Sequence, residues 1–233
     1  MYAGKKVGVV IPAAGSGIRL GGGIAKQFLE VQGKTIFGRT LEVFEQHPAI
    51  DCIAIAGSVD GLDSIRDIVH SIGCKKVVWI GLGGAYRQDS VWNALQELLE
   101  ISVELVLIHD AVRPFVTNEI IDRVLQASDE FGAAVAGVRA KDTIKVTDGD
   151  GFVTSTPQRE LLWQAQTPQG FRMGIVMDAF RSAKEAQFIG TDDASVVERM
   201  GIPVKMVVGS YENIKITTQE DLATANLIVK NKG

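Results

Sequence analysis

Arg19 and Lys26 stand in a stretch otherwise made largely of small and apolar residues, VVIPAAGSGIRLGGGIAKQF, Val9 to Phe28. Ala13, Ala14, Gly15, Ser16 and Gly17 carry little bulk, so backbone N–H groups there can approach a ligand closely. Successive amides turned one way form an anion-binding concavity, and two fixed cations add to its field. The apolar run Val7 to Ile11 predicts a buried strand that breaks at Pro12 into this loop. A loop at a strand's carboxyl end suits a nucleotide phosphate tail. Taken alone, the stretch also fits a flexible glycine turn with two solvated cations. Two common phosphate motifs fail. Leu20 stands where the dinucleotide fingerprint needs its third glycine, and Phe28 stands where a P-loop ending in Gly33-Lys34-Thr35 needs its first.

Other chemistry-bearing pieces follow predicted strands. In GGAYRQDS, Gly83 and Gly84 would let a flat ring approach the backbone, and Ser90 is placed to cap a helix or donate to a base. In HDAVRP, Asp110 lies just past the apolar run Leu105 to Ile108. A carboxylate there can hold a divalent metal beside a triphosphate or bond ribose hydroxyls. Arg113 is spaced to pair with it, as a site residue or as a loop brace, and His109 reads as a satisfied core histidine. Lys215, in NIKIT, interrupts a β-prone apolar run and needs an anion nearby. Asp192 and Asp193 read as acid/base partners or as negative charge at a helix start, the second being the simpler role. Arg159, Thr167 within QAQTPQGF, and Thr191 complete the set.

The composition sets bounds on partners. The 233 residues carry a formal net charge of −4, which argues against bulk binding to nucleic acid or a membrane surface but leaves room for a local basic pocket. Cys52 and Cys74 read as buried free thiols, and His47, His70 and His109 lack metal-ligand spacing. No nucleophile motif accompanies a histidine. The opening MYAGKKVGVV is too short an apolar run for a signal peptide and no stretch reaches the length of a membrane span, so a cytoplasmic protein is expected.

The elements that must position these residues alternate along the chain. Strands are predicted at Val7–Ile11, Cys52–Ala56, Lys76–Ile80, Leu105–His109, Ala133–Val138, Leu162–Ala165, Val204–Val208 and Asn213–Ile216. Helices are predicted at Thr35–Gln46, Leu62–Ser71, Asp89–Leu99, Asn118–Phe131, Ile175–Ala186, Asp193–Met200 and Gln219–Val229. In the third helix Val91, Ala94, Leu95, Leu98 and Leu99 are expected on one apolar face. Apolar strands separated by helices predict an α/β fold, a Rossmann-like, mostly parallel twisted sheet with helices on both faces. Asp-Gly turn signals between short β-prone pieces make Lys141 to Thr156 a hairpin, so one domain over residues 1–233 with a projecting β-arm at about 141–158 is expected.

Together, PAAGSGIRL with AKQF, GGAYRQDSV, HDAVRP, KDTIK, WQAQTPQGF, GTDDAS and NIKIT resemble the 2-C-methyl-D-erythritol 4-phosphate cytidylyltransferase family of the non-mevalonate isoprenoid pathway. The first piece alone is shared by many nucleotide-diphospho-sugar transferases, whereas the ordered set is far more specific. The resemblance implies that CTP and methylerythritol phosphate give a CDP-alcohol and pyrophosphate. It implies that Pro12, Ala13, Ala14, Gly15, Ser16, Gly17, Arg19 and Lys26 hold the CTP phosphates. It also places Gly83, Asp89 and Ser90 around the cytosine, and Asp110 with Ala111 near the ribose and Mg²⁺ or another divalent cation. Thr143, Arg159, Thr167, Thr191 and Lys215 would surround the acceptor, with Arg19, Lys26 and Lys215 carrying the catalytic charge. It further implies a homodimer whose arms exchange Thr143 and Arg159 between sites. Two positions depart from the family's usual pattern: Ala25 precedes Lys26 where proline is common, and Tyr86 precedes Arg87 where an acidic residue is common. Ribitol 5-phosphate transfer to CDP-ribitol is the nearest competing reading, and a noncatalytic nucleotide-binding module a more distant one.

Overall fold

The computed structural model describes residues 1–15 and 25–232. Strand β1 (Val7–Ala13) is followed, after a 3-10 turn at Lys26–Phe28, by a two-strand hairpin, β2 (Glu30–Val31) and β3 (Lys34–Thr35). Then come α1 (Ile36–Gln46), β4 (Cys52–Gly57), α2 (Leu62–Ile72), β5 (Val77–Leu82), α3 (Arg87–Glu100), β6 (Leu105–Ile108), α4 (Asn118–Phe131) and β7 (Ala133–Arg139). The second half adds β8 (Val146–Thr147), β9 (Val153–Ser155), β10 (Trp163–Arg172), α5 (Met173–Glu185), α6 (Asp193–Glu198), β11 (Lys205–Val208) and α7 (Gln219–Lys232).

Seven strands form one sheet in the order β11-β7-β10-β6-β1-β4-β5. All neighbours are parallel except β10, which runs antiparallel to both β6 and β7. Alternation along each strand divides the core. Val9, Ile11, Ile53, Ile55, Leu105 and Leu107 face α1, α2 and α4, while Val10, Ala54, Val106 and Ile108 face α3, α5 and α6. The mostly parallel sheet with helices on both faces is therefore as the apolar strand pattern predicted. A smaller cluster, Val31, Ile36, Val112, Phe115 and Ile216, seats α7.

Several sequence expectations need correction. Residues 213–216 form no strand; the backbone there is irregular and is held instead through the buried Asn213 side chain. The predicted strand at Leu162–Ala165 is the start of the longer β10, whose register shifts between Ala165 and Gln169. Pro168 sits inside that irregularity, where a missing amide hydrogen does little harm. Leu99 points away from the buried face of α3 and is 43% exposed. Helix α6 stops at Glu198 rather than Met200. The β2–β3 hairpin escaped sequence reading because its strands are only two residues long, although Gln32 and Gly33 both take the positive φ that a tight hairpin turn requires. The segment read as an arm does carry a hairpin, β8 against β9, and residues 141–156 are exposed throughout.

Candidate active site

Parallel strands deliver their following loops to one edge of the sheet. There the loop after β1 (Ala14 and Gly15), the loop after β5 (Gly83 to Tyr86) and the loop after β6 (His109 to Arg113) meet around a cleft of about 340 Å³. Pro12, Ala13, Ala14, Gly15, Lys26, Ser90, Asp110, Ala111 and Lys215 line it, so most of the residues expected to hold a nucleotide converge. Ser16, Gly17 and Arg19 lie outside the described residues. Gln27, buried behind the loop, donates its side-chain N–H to the carbonyls of Ala13 (2.9 Å) and Gly15 (3.3 Å), which fixes the turn. Gly83 packs directly on it: a Cβ there would stand 2.6 Å from the Ala14 Cβ and 2.5 Å from the Ser90 Oγ. Ser90 does not cap α3. Its hydroxyl accepts from the Gly84 N–H and donates to the Tyr86 carbonyl, bracing the glycine turn. The capping carboxylate is Asp89, which accepts the Tyr86 N–H at 3.0 Å and lines a neighbouring hollow rather than the cleft.

A second hollow of about 330 Å³ adjoins the first. Thr167, Thr191, Gln166, Gln169 and Asp192 line it, and it shares Arg87, Asp110 and Lys215 with the first. The antiparallel direction of β10 explains how Thr167 arrives. Gln169 pairs with Ile108, so the residues before it run past the carboxyl end of β6 to the level of Asp110. There the Asp110 N–H donates to the Thr167 Oγ1 at 3.0 Å.

Asp110 is the centre of the site. Its Oδ1 takes Arg87 Nε at 3.2 Å, and its Oδ2 takes Lys215 Nζ at 3.0 Å and Arg113 Nε at 3.4 Å. Burial alone would raise its pKa, but the three cations, Arg87 foremost, hold it well below the usual carboxylate range. Lys215 has thus found the anion that its apolar surroundings demanded. Arg113 is itself anchored, donating to the Asn213 carbonyl at 2.8 Å. His109 is fully buried with its ring against Phe44, and burial pushes its pKa down to about 4. Its Nε2 faces the Arg113 carbonyl at 3.0 Å, an acceptor only, so Nε2 carries the hydrogen. Nδ1 then accepts from Thr167 Oγ1 at 3.0 Å, giving an ordered chain from the Asp110 N–H through Thr167 to a neutral His109. His109 is a core histidine, as its sequence setting suggested.

The family model for 2-C-methyl-D-erythritol 4-phosphate cytidylyltransferase matches residues 7–231. This chain belongs to that family. The cytidylyltransferase of Geobacter metallireducens is 46% identical over 226 residues, covering 96% of this chain and 97% of the relative. That of Lysinibacillus sphaericus is 44% identical, covering 96% of each. Among solved structures, the 4-diphosphocytidyl-2C-methyl-D-erythritol synthase of Anaerococcus prevotii superposes with a TM-score of 0.87 at 32% identity, covering 97% of this chain and 96% of the other. The Francisella tularensis cytidylyltransferase gives 0.79 at 34%, covering 95% and 99%.

Not every residue expected from the cytidylyltransferase pattern comes to the cleft. Thr143 is exposed on the arm segment, and Arg159, also exposed, donates to the Lys141 carbonyl at 3.2 Å in a separate hollow with Arg139 and Glu160. Both aspartates stand at the start of α6 as read: Asp192 is the cap, accepting the Ser195 N–H at 2.8 Å, and Asp193 is the acidic residue of the first turn. Asp193 is buried and receives Arg87 Nη1 and Nη2 at 2.9 and 2.8 Å. Burial raises the Asp193 pKa and Arg87 opposes it; the Arg87 pKa is raised by Asp193 and then Asp110, against its own burial. Arg87 was given no role from the sequence. A signal was present: it is a cation in the first turn of a helix, where the helix dipole disfavours positive charge.

Proposed function

We infer that the protein joins CTP and 2-C-methyl-D-erythritol 4-phosphate to give 4-diphosphocytidyl-2-C-methyl-D-erythritol and pyrophosphate. The observation that carries this reading is the position of Lys215 and Asp110 on the wall shared by two hollows, in a chain matched to the family over residues 7–231. One hollow has the small-residue loop and Lys26 suited to a triphosphate; the other has hydroxyls and amides suited to a polyol phosphate.

The acceptor's phosphate monoester, with a second pKa of about 6, is already largely dianionic near neutral pH. Its oxygen attacks the CTP α-phosphorus, a new P–O bond forms in line, and the bond to the β-phosphate oxygen breaks to release pyrophosphate. No proton needs removing, which agrees with a buried, neutral His109 and with a sequence in which no nucleophile motif accompanies a histidine. Positioning and cancellation of phosphate charge are what the residues must supply. Lys26 and Lys215 are assigned to that task, with Arg19. Ala13, Ala14, Gly15, Gly83 and Ser90 are assigned to nucleotide, and Thr167, Thr191 and Lys215 to acceptor.

A divalent cation fits the donor set. Magnesium keeps several waters and binds through one or two carboxylates plus substrate phosphates, and Asp110 is the carboxylate that the cleft offers among the described residues. Asp110 would hold it, and the bound cation would neutralise triphosphate charge.

Thr143 and Arg159 are assigned to the site of a second copy, reached through the arm. Their exposure away from the cleft supports this, as do Ile144, Val146, Phe152 and Val153, apolar side chains left exposed on the same segment. No helix among the described residues is long and apolar enough to cross a membrane. A cytoplasmic location belongs to the same reading.

The decisive experiment is Mg²⁺-dependent pyrophosphate release from CTP with methylerythritol phosphate and ribitol 5-phosphate in parallel. Release with the first alone is expected. Release with ribitol 5-phosphate instead would overturn the acceptor assignment, and CTP binding with no release would mark a noncatalytic module.

A further inference from the structure

We propose that Arg87 is a positioning residue that couples the nucleotide hollow to the acceptor hollow, a role that deepens the cytidylyltransferase reading and rests on it. Arg87 opens α3, at the end of the loop from β5, on the side where Ala14 and Gly83 touch. Its fork reaches across to Asp193 at the start of α6, while its Nε reaches Asp110 after β6. Three loops from distant parts of the chain are therefore held by one planar group. The acceptor carboxylates are nearly closed to water, with side-chain exposures of 9% for Asp110 and 2% for Asp193. A buried carboxylate that loses its partner is expensive, so the three groups behave as a unit.

The unit sits where the hollows join. Arg87 and Asp110 line both, and Asp193 directly follows Thr191 and Asp192 on the acceptor wall. Asp192 is also fixed, receiving Gln169 Nε2 at 2.8 Å, while Gln169 Oε1 accepts the Ala194 N–H. A ligand in the first hollow that draws Asp110 or Arg87 toward itself alters the hold of Arg87 on Asp193, and with it the loop that bears Thr191. Coupling between sites requires such a differential contact. A lysine would keep the charge but offers a single ammonium, which cannot grip Asp193 with two parallel bonds and reach Asp110 as well.

The test is calorimetric binding of methylerythritol phosphate to the full chain, with and without α,β-methylene CTP and Mg²⁺. This nucleotide cannot release pyrophosphate by cleavage at the α-phosphorus, so binding is read without turnover. In the natural protein the nucleotide should tighten acceptor binding about tenfold, within the usual range for coupled sites. In Arg87→Lys and in Asp193→Asn the ratio should fall to about one. A natural protein with a ratio near one, or variants that keep its ratio, would overturn the proposal. Thermal unfolding separates a folding defect: loss of the cooperative transition in both variants would make Arg87 a structural brace and overturn the proposal too. Absence of pyrophosphate release from CTP in the natural protein would instead strike the functional reading, while the binding ratio would still be measured.

Discussion

His109 and Asp110 are adjacent in sequence yet solve opposite problems. Asp110 keeps its charge because three cations surround it, and His109 gives up its charge because none of its neighbours repays the loss of water. The sign of the pH effect follows. With a folded pKa of about 4 against an ordinary 6.5, His109 binds fewer protons in the native state than in the unfolded one between those values. Its contribution is fully present above pH 6.5 and is lost as pH falls toward 4, by about 3 kcal/mol in total. Urea-unfolding free energies at pH 7.5 and 4.5 check this. His109→Gln should be the less stable protein at pH 7.5 but should lose about 2.5 kcal/mol less on acidification to pH 4.5, where the titration is not yet complete; equal losses would refute the linkage. At this scale Lys215 was legible because a lysine amid apolar residues demands a partner. The pairing of Arg87 with Asp193 was not, since they lie 106 positions apart and only the folded chain brings them together.

The elements place those residues through direction and closeness. Gly83 shows the closeness: the loop after β5 lies on the loop after β1 with no room for a methyl group. Gly83→Ala should displace Ala14 and raise the KM for CTP about tenfold, consistent with the 1–3 kcal/mol that overpacking costs. The thermal midpoint should fall by only about 2–10 °C. An unchanged KM would remove Gly83 from the nucleotide site. Direction is what the sequence hid in β10. Its start was read as a strand at Leu162 to Ala165, but alternation alone does not say whether a strand runs up or down. Because β10 runs down, Thr167 arrives beside Asp110. The parallel strands, by contrast, were readable from their apolar runs and the helices between them. The irregular stretch at 213–216 misled because Ile214 and Ile216 alternate with polar residues as in a strand, while their apolar contacts are with the cluster beneath α7.

At the scale of the whole molecule, the arm is a hairpin whose apolar residues lack a home within the chain. Phe152 is 73% exposed and Val153 57%. The proposed second copy would cover such residues and receive Thr143 and Arg159 in return. Sedimentation velocity should therefore find a dimer, and Phe152→Asp should shift it toward monomer. Turnover should fall in step with dimer content and recover as protein concentration rises. A fully active monomer would refute the shared site. Here the residues had announced only a projecting hairpin; the exchange between subunits came from family resemblance, since nothing in the spacing of one chain states what another covers.

The sheet order also sets a schedule for the newborn chain. β1 emerges first but lies between β4 and β6, and its half of the sheet can close once Ile108 is made. The other edge of β6 must wait for β10, which ends at Arg172. A ribosome adding about 5–20 residues per second takes about 3–13 s to cover that gap. During that interval Leu105 to Ile108, all destined for the interior, present an open strand edge to the surrounding solution. A holding chaperone would therefore find an open edge on β6 between synthesis of the sixth strand and the tenth.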